Sequence, residues 1–265
     1  MKNPFKNKKT NQRLLHKVKN GIGVIEVMEN QFVRTLYFNS GSRQSCMYLD
    51  NPKALALEYT QSMALSFLLN ENINTALILG LGGGSLVKFI HHYFPLCQID
   101  AVEKSQEVKN IAYNYFALPK HQNIQVYIDD AGNFIRSSKA REYDLIAVDA
   151  YDANKMSNSV QDIGFFNACF THLKPGGVFC INLWIQHTGA LNSVLRALNS
   201  CFSNQVLHLP VEERKANLIL FGIKGSFSIT QKNPLNRHAK KLQEQTGVDF
   251  LPLLRKLRKH NPHNI

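Results

Sequence analysis

Apolar and polar positions change their spacing several times along this chain, and each change predicts an element. From Gly23 to about Asp50 the apolar residues alternate, with Val24, Val27, Val33, Leu36 and Phe38 among polar neighbours. Period-two spacing broken at Glu29-Asn30 and Asn39-Ser40-Gly41 predicts two or three antiparallel strands. After Asn51-Pro52, the residues Leu55, Tyr59, Met63, Leu65, Phe67 and Leu68 predict a helix. From Ala76 to about Lys224, short aliphatic or β-branched runs alternate with helical stretches, the signature of an α/β fold with a parallel sheet. The runs at Leu77–Leu79, Asp100–Val102, Ile124–Ile128, Tyr143–Val148, Gly177–Leu183 and Leu218–Ile223 are its expected strands. Residues 235–260 read as two short amphipathic helices packed through Leu242, Val248, Phe250, Leu251, Leu254 and Leu257.

The chain therefore divides into a basic disordered tail at 1–20, a small β domain at 21–52, a Rossmann-like α/β domain at 53–225 and a basic helical extension at 226–265. Its formal net charge is +12, but Lys and Arg number 7, 16 and 8 in residues 1–20, 21–225 and 226–265, against 0, 17 and 2 Asp and Glu. The body is thus near −1, while the ends carry +7 and +6. A near-neutral body suits a small ligand better than a phosphate backbone; the ends read as solubilising segments or as contacts to RNA, a membrane surface or an acidic partner. No apolar run is long enough to span a bilayer, and the polar, lysine-rich N-terminus does not read as a secretory leader, so a cytoplasmic protein without membrane attachment is expected. Cys46, Cys97, Cys169, Cys180 and Cys201 are scattered without a C-x-x-C pair, which predicts neither a metal site nor a disulfide framework.

The chemistry concentrates at strand ends. The run Leu79-Gly80-Leu81-Gly82-Gly83-Gly84-Ser85 places a glycine-rich turn between a strand and a helix over Ser85–Tyr93, and Glu103 closes the following strand. Glycines allow the turn and close approach of a nucleotide, and an acid in that position accepts hydrogen bonds from ribose hydroxyls. Asp129-Asp130-Ala131 and Asp149-Ala150-Tyr151-Asp152 end two later strands. Ligands bind beyond the carboxyl ends of such strands, so Glu103, Asp130 and Asp149 are expected to converge on one pocket. Individually, each acid could instead be a helix N-cap. Trp184, after a strand, either walls the pocket or plugs the sheet, and Tyr151 either touches substrate or packs its loop.

This order of elements resembles the spermidine synthases, aminopropyltransferases of polyamine biosynthesis on the Rossmann-like methyltransferase fold, and within them a divergent bacterial branch. The resemblance covers about 23–224 and rests on Gln44, Tyr59-Thr60-Gln61, Gly80-Leu81-Gly82-Gly83-Gly84, Glu103, Asp130-Ala131 and Asp149-Ala150-Tyr151-Asp152, which is similar to the family's D-x-x-D. It implies Gln44, Gly80, Gly82, Gly83, Gly84, Glu103, Asp130, Ala131 and Asp149 as the nucleoside site, and Asp149 as the catalytic acid-base. It implies Asp152, with Tyr59, Thr60 and Tyr151, at the amine acceptor. It further implies decarboxylated S-adenosylmethionine as a consumed co-substrate, no permanent cofactor or metal, a diamine such as putrescine as acceptor, and a homodimer.

Three departures stand against that pattern. Gly83 occupies the position of the family's aspartate for the donor amine. Ala153-Asn154-Lys155-Met156 replaces a proline-rich gate, and no tyrosine stands near Leu209-Pro210-Val211-Glu212-Glu213, where Glu212 or Glu213 is either a replacement cation ligand or an exposed loop acid. Two rival readings follow: a methyltransferase using S-adenosylmethionine itself, or a nucleoside-binding homologue without turnover.

Overall fold

A computed structural model describes residues 12–20, 23–39, 41–137, 140–151, 158–184, 188–203, 205–211, 217–225 and 232–262. These form two sheets. The small one is antiparallel, in the order β1 (Arg13–Asn20), β2 (Gly23–Glu29), β3 (Val33–Phe38), β4 (Ser42–Tyr48). The large one has seven strands, in the order β10 (Val206–Val211), β11 (Asn217–Ile223), β9 (Leu173–Trp184), β8 (Tyr143–Val148), β5 (Thr75–Leu79), β6 (Gln98–Glu103), β7 (Ile124–Ile128). From β9 to β7 the neighbours are parallel; β11 and β10 run antiparallel at one edge.

The central strand β5 is apolar on both faces because both faces are covered. Ala76 and Ile78 of β5 join one core with α3 (Ser85–Tyr93), α8 (Lys232–Thr246) and α9 (Phe250–His260). Leu77 and Leu79 join the other, with α5 (Ala131–Arg136), α6 (Ile163–His172) and α7 (Thr188–Cys201). The chain leaves β5 towards β6 and β7, then returns to lay β8 on the other side of β5, so the strand order reverses at the ends of β5 and β8. Such a switch point opens a crevice beyond the strand ends.

Four elements differ from the pattern. Arg13–Asn20 is a strand rather than part of a disordered tail. A bulge between Leu14 and His16 breaks its alternation, so Leu15 and Val18 pack on one core, and its cations meet acids of β2, Lys17 on Glu26 at 2.8 Å and Arg13 on Glu29 at 3.4 Å. The single helix expected after Pro52 is two short ones, α1 (Glu58–Met63) and α2 (Ser66–Leu69). The turn Lys174-Pro175-Gly176-Gly177 lies within β9, where the register with β8 shifts. No strand was expected at Val206–Val211, which forms β10, an edge strand where Pro210 costs no ladder bond. Glu212 and Glu213 lie outside the described residues, as do Asp152 and Ala153-Asn154-Lys155-Met156.

Candidate active site

At the switch point lies a cleft of about 460 Å³, within the size range of small-molecule sites. Its floor is the glycine turn. Gly80, at φ +102°, lies so close to the end of β8 that a Cβ there would stand 2.2 Å from the Asp149 carbonyl oxygen. Two strand-like bonds fix the corner, Gly80 N–H to Val102 at 2.9 Å and Asp149 N–H to Leu79 at 2.8 Å. Gly80 and Gly82 line the cleft, whereas Gly83 and Gly84 stand behind its surface. Gly83 is pressed against Ser45 and Phe116, with an added Cβ 2.8 Å from Ser45 Oγ and 2.9 Å from Phe116 Cδ1; Gly84 lies on Leu118. Ser45 Oγ also accepts the Gly83 N–H at 3.1 Å, tying β4 to the turn.

Glu103 ends β6 beside the turn. Its Oε2 accepts the amides of Leu81 (3.2 Å) and Gly82 (3.4 Å), and its Oε1 that of Ser105 (2.9 Å). Burial pushes its pKa up, and these amide bonds pull the other way. Asp130 is the N-cap of α5: Oδ1 takes the amides of Gly132 (2.9 Å) and Asn133 (3.2 Å), and Oδ2 takes the Ser159 hydroxyl (3.0 Å). Capping and cleft lining are thus combined in one residue, because α5 starts at the rim with Asp130 and Ala131 both on the cleft wall.

Asp149 leads the chain out of β8 into the cleft. Its Oδ1 accepts from Asn182 Nδ2 at 2.9 Å, and the Tyr59 hydroxyl hydrogen-bonds to its carboxylate. Burial holds the Asp149 pKa above the usual carboxylate range, and the bonds from Asn182 and Tyr59 oppose it. The same burial, with Asp149 alongside, pushes the Tyr59 phenol well above its ordinary value. Tyr59 also reaches the Gln44 carbonyl at 3.5 Å, so α1 and β4 close the wall opposite β8. Thr60 lines the cleft, but its hydroxyl donates to the Leu57 carbonyl at 2.7 Å, a bond within its own helix start. Tyr151 donates to the Asn182 carbonyl at 2.7 Å and stands edge-on to Trp184, ring centres 6.4 Å apart; both line the cleft.

The structure thus brings Gln44, Tyr59, Thr60, Gly80, Gly82, Glu103, Asp130, Ala131, Asp149 and Tyr151 to one cleft. It also supplies two residues that the sequence reading passed over. Asn182 is buried among Val178–Leu183 of β9 and receives Asn217 Nδ2 on its Oδ1 at 2.8 Å, so a relay Asn217–Asn182–Asp149 orients the carboxylate. A lone amide in an otherwise apolar buried strand was the available signal, since a buried polar group needs a partner. Among the described lining residues, the acids Glu103, Asp129, Asp130 and Asp149 outnumber the cations Arg43 and Lys104. Such a cleft favours cationic ligands. A partly desolvated carboxylate, held by two donors and facing open space, is arranged to accept a proton.

The family model described as the spermine/spermidine synthase domain matches residues 58–232. Over 254 residues the chain is 30% identical to the polyamine aminopropyltransferase of Neisseria meningitidis serogroup B, covering 95% of each. A probable spermidine synthase from Corynebacterium glutamicum shares the fold, with a TM-score of 0.70 at 20% identity over 89% of this chain and 88% of that one. Human methyltransferase-like protein 13 in complex with SAH superposes with a TM-score of 0.61 at 26% identity, over 76% of this chain and 93% of that one.

Proposed function

The chain belongs to the spermine/spermidine synthase family, and from that premise we propose that its cleft transfers the aminopropyl group of decarboxylated S-adenosylmethionine to a diamine such as putrescine. The products are spermidine and methylthioadenosine. One observation carries the reading: Asp149 opens from the end of β8 into an acid-rich cleft, its carboxylate oriented by Asn182 and Tyr59.

Glu103 receives the ribose hydroxyls, Asp130 with Ala131 the adenine edge, and Gln44 the side of the nucleoside nearest sulfur. The acceptor enters between Asp149 and the aromatic pair Tyr151 and Trp184, with Asp152 as a second cation ligand. An amine is protonated at neutral pH and cannot attack. Asp149 first binds that cation, then takes its proton; the freed nitrogen lone pair attacks the methylene next to sulfur, and the carbon–sulfur bond breaks towards sulfur. The sulfonium charge vanishes as this happens, so catalysis rests on holding nitrogen, carbon and sulfur in line rather than on binding the cation more tightly. The donor is consumed, and no permanent cofactor takes part. The same reading makes the enzyme a cytoplasmic homodimer joined in part through the small sheet.

A second reading, a methyltransferase using S-adenosylmethionine itself, is favoured by one feature. Phe116 and Ser45 fill the space a side chain at Gly83 would need, which leaves the turn without a carboxylate to repel that of ordinary S-adenosylmethionine. Isothermal titration separates the readings. Tighter binding of the decarboxylated donor supports aminopropyl transfer, and tighter binding of the carboxylated one supports methyl transfer. Nucleoside binding without product from any amine leaves a homologue that binds without turnover.

A further inference from the structure

A buried lysine stands directly behind the glycine turn. Lys88 lies near the start of α3, its backbone N–H bonded to the Gly84 carbonyl at 2.9 Å, and it is only 4% exposed. Its Nζ donates to the Phe116 carbonyl at 2.7 Å and sits 6.0 Å from the centre of the Phe116 ring. Among the described residues Lys88 forms no ion pair with a carboxylate. Burying an ammonium without a counter-ion costs stability, and a methionine would occupy similar volume without that penalty.

What the Lys88 side chain holds is the bed on which the turn rests. Phe116 caps the C-terminus of α4 (Gln106–Tyr115), where helix carbonyls lack intrahelical partners, and Lys88 takes the one at Phe116. The Phe116 ring lies on Gly83, Leu118 lies on Gly84, and Ala117 between them has φ +53°, in the left-handed region. A non-glycine residue in that conformation persists where its surroundings hold it. Lys88 therefore ties the helix that begins at the glycine turn to the segment supporting that turn.

We infer that Lys88 is a positioning residue for donor binding: through the Phe116 carbonyl it fixes the surface under Gly83 and Gly84, and so the shape of the turn that meets the nucleoside. The inference rests on the reading that the donor lies over this turn. The test uses the full chain, with methylthioadenosine and S-adenosylhomocysteine as probes in isothermal titration, alongside steady-state turnover. Lys88→Met keeps the bulk and removes the hydrogen bond. It should weaken nucleoside binding and raise donor KM about tenfold or more, the scale on which a small misplacement acts, with kcat at saturation and acceptor KM within about twofold. Phe116→Leu leaves that carbonyl in place but removes the ring beneath Gly83, and should likewise weaken nucleoside binding. The double variant should lose less than the sum of the two single losses, since Lys88 and the Phe116 ring support the same turn.

Unchanged nucleoside binding in Lys88→Met, a joint fall of kcat with affinity, or additive losses in the double variant would each overturn the inference. Should Lys88→Met not fold, Lys88→Leu, which also removes the donor to the Phe116 carbonyl, carries the same expectation and the same refutation. A wild-type protein that binds neither nucleoside overturns the reading of the cleft first, and this inference with it.

Discussion

Replacing Asp149 by asparagine keeps the side chain's shape while removing its charge and its capacity to take a proton. In the native site the carboxylate accepts from Asn182 Nδ2 at 2.9 Å and from the Tyr59 hydroxyl. An asparagine offers one carbonyl oxygen to these two donors, and its amide faces the other donor to donor. The lost charge-assisted bond costs about 1.5 to 3 kcal/mol, and relief from burying a carboxylate offsets part of it, so folding stability should change by no more than about 2 kcal/mol. Turnover should fall much further. Loss of a general base removes roughly a hundredfold to ten-thousandfold in rate, about 3 to 5 kcal/mol of transition-state stabilisation. Nucleoside affinity should stay within about threefold, because the groups assigned to ribose and adenine, Glu103 and Asp130, are untouched. Single-turnover kinetics with mass-spectrometric product detection gives the rate, and titration with methylthioadenosine gives the affinity. Turnover within tenfold of wild type, or affinity falling in parallel with rate, would refute the role given to Asp149.

Three further expectations follow from the same geometry. Asn182→Leu removes a donor that opposes the burial-driven rise of the Asp149 pKa, so the ionised base should be lost at higher pH as the solution is acidified, moving the acid limb of kcat/KM upward; an unmoved limb would contradict the relay. Gly80→Ala should destabilise the protein by about 3 kcal/mol or more in denaturant unfolding, since its Cβ would meet Asp149 backbone atoms at 2.2 and 2.7 Å, whereas Gly176→Ala, at φ +77° with nothing within 4 Å, should cost only about 1 kcal/mol; equal losses would deny the close approach of turn and strand. Burial brings the Lys88 pKa from 10.5 down to about 7, so between those values the unfolded chain holds a proton that the folded chain sheds, and stability is gained as pH rises through that window. Relative to Lys88→Met, the wild type should gain about 3 to 4 kcal/mol between pH 7 and 10, and identical pH dependence of unfolding in the two proteins would show that Lys88 is not desolvated.

The large sheet was legible because its strands are short, mostly apolar and punctuated by glycine or aspartate at the ends where the cleft opens. Gly80, Glu103, Asp130 and Asp149 could be placed together from the rule for switch points alone. The misses have specific physical causes. In β1 a bulge scrambles the alternation, and its lysines read as solvated until the acids of β2 are seen opposite them. Pro210 disguises β10, because only the tertiary arrangement reveals that the strand lies at an edge. Asn182 and Asn217 come together across paired strands that are far apart in sequence, and the need of one buried amide for another cannot be assigned a partner from spacing. Gly83 reads in sequence as part of the nucleoside surface, while its missing side chain serves the packing of Phe116 beneath the turn.

Mass spectrometry of both products, with the wild-type chain offered putrescine and each donor in turn, addresses the chemistry itself. Putrescine converted to spermidine, with equimolar methylthioadenosine and only from the decarboxylated donor, is the outcome expected of Asp149 acting on an amine beside the sulfonium. A methylated amine accompanied by S-adenosylhomocysteine, or intact putrescine despite bound nucleoside, would contradict it.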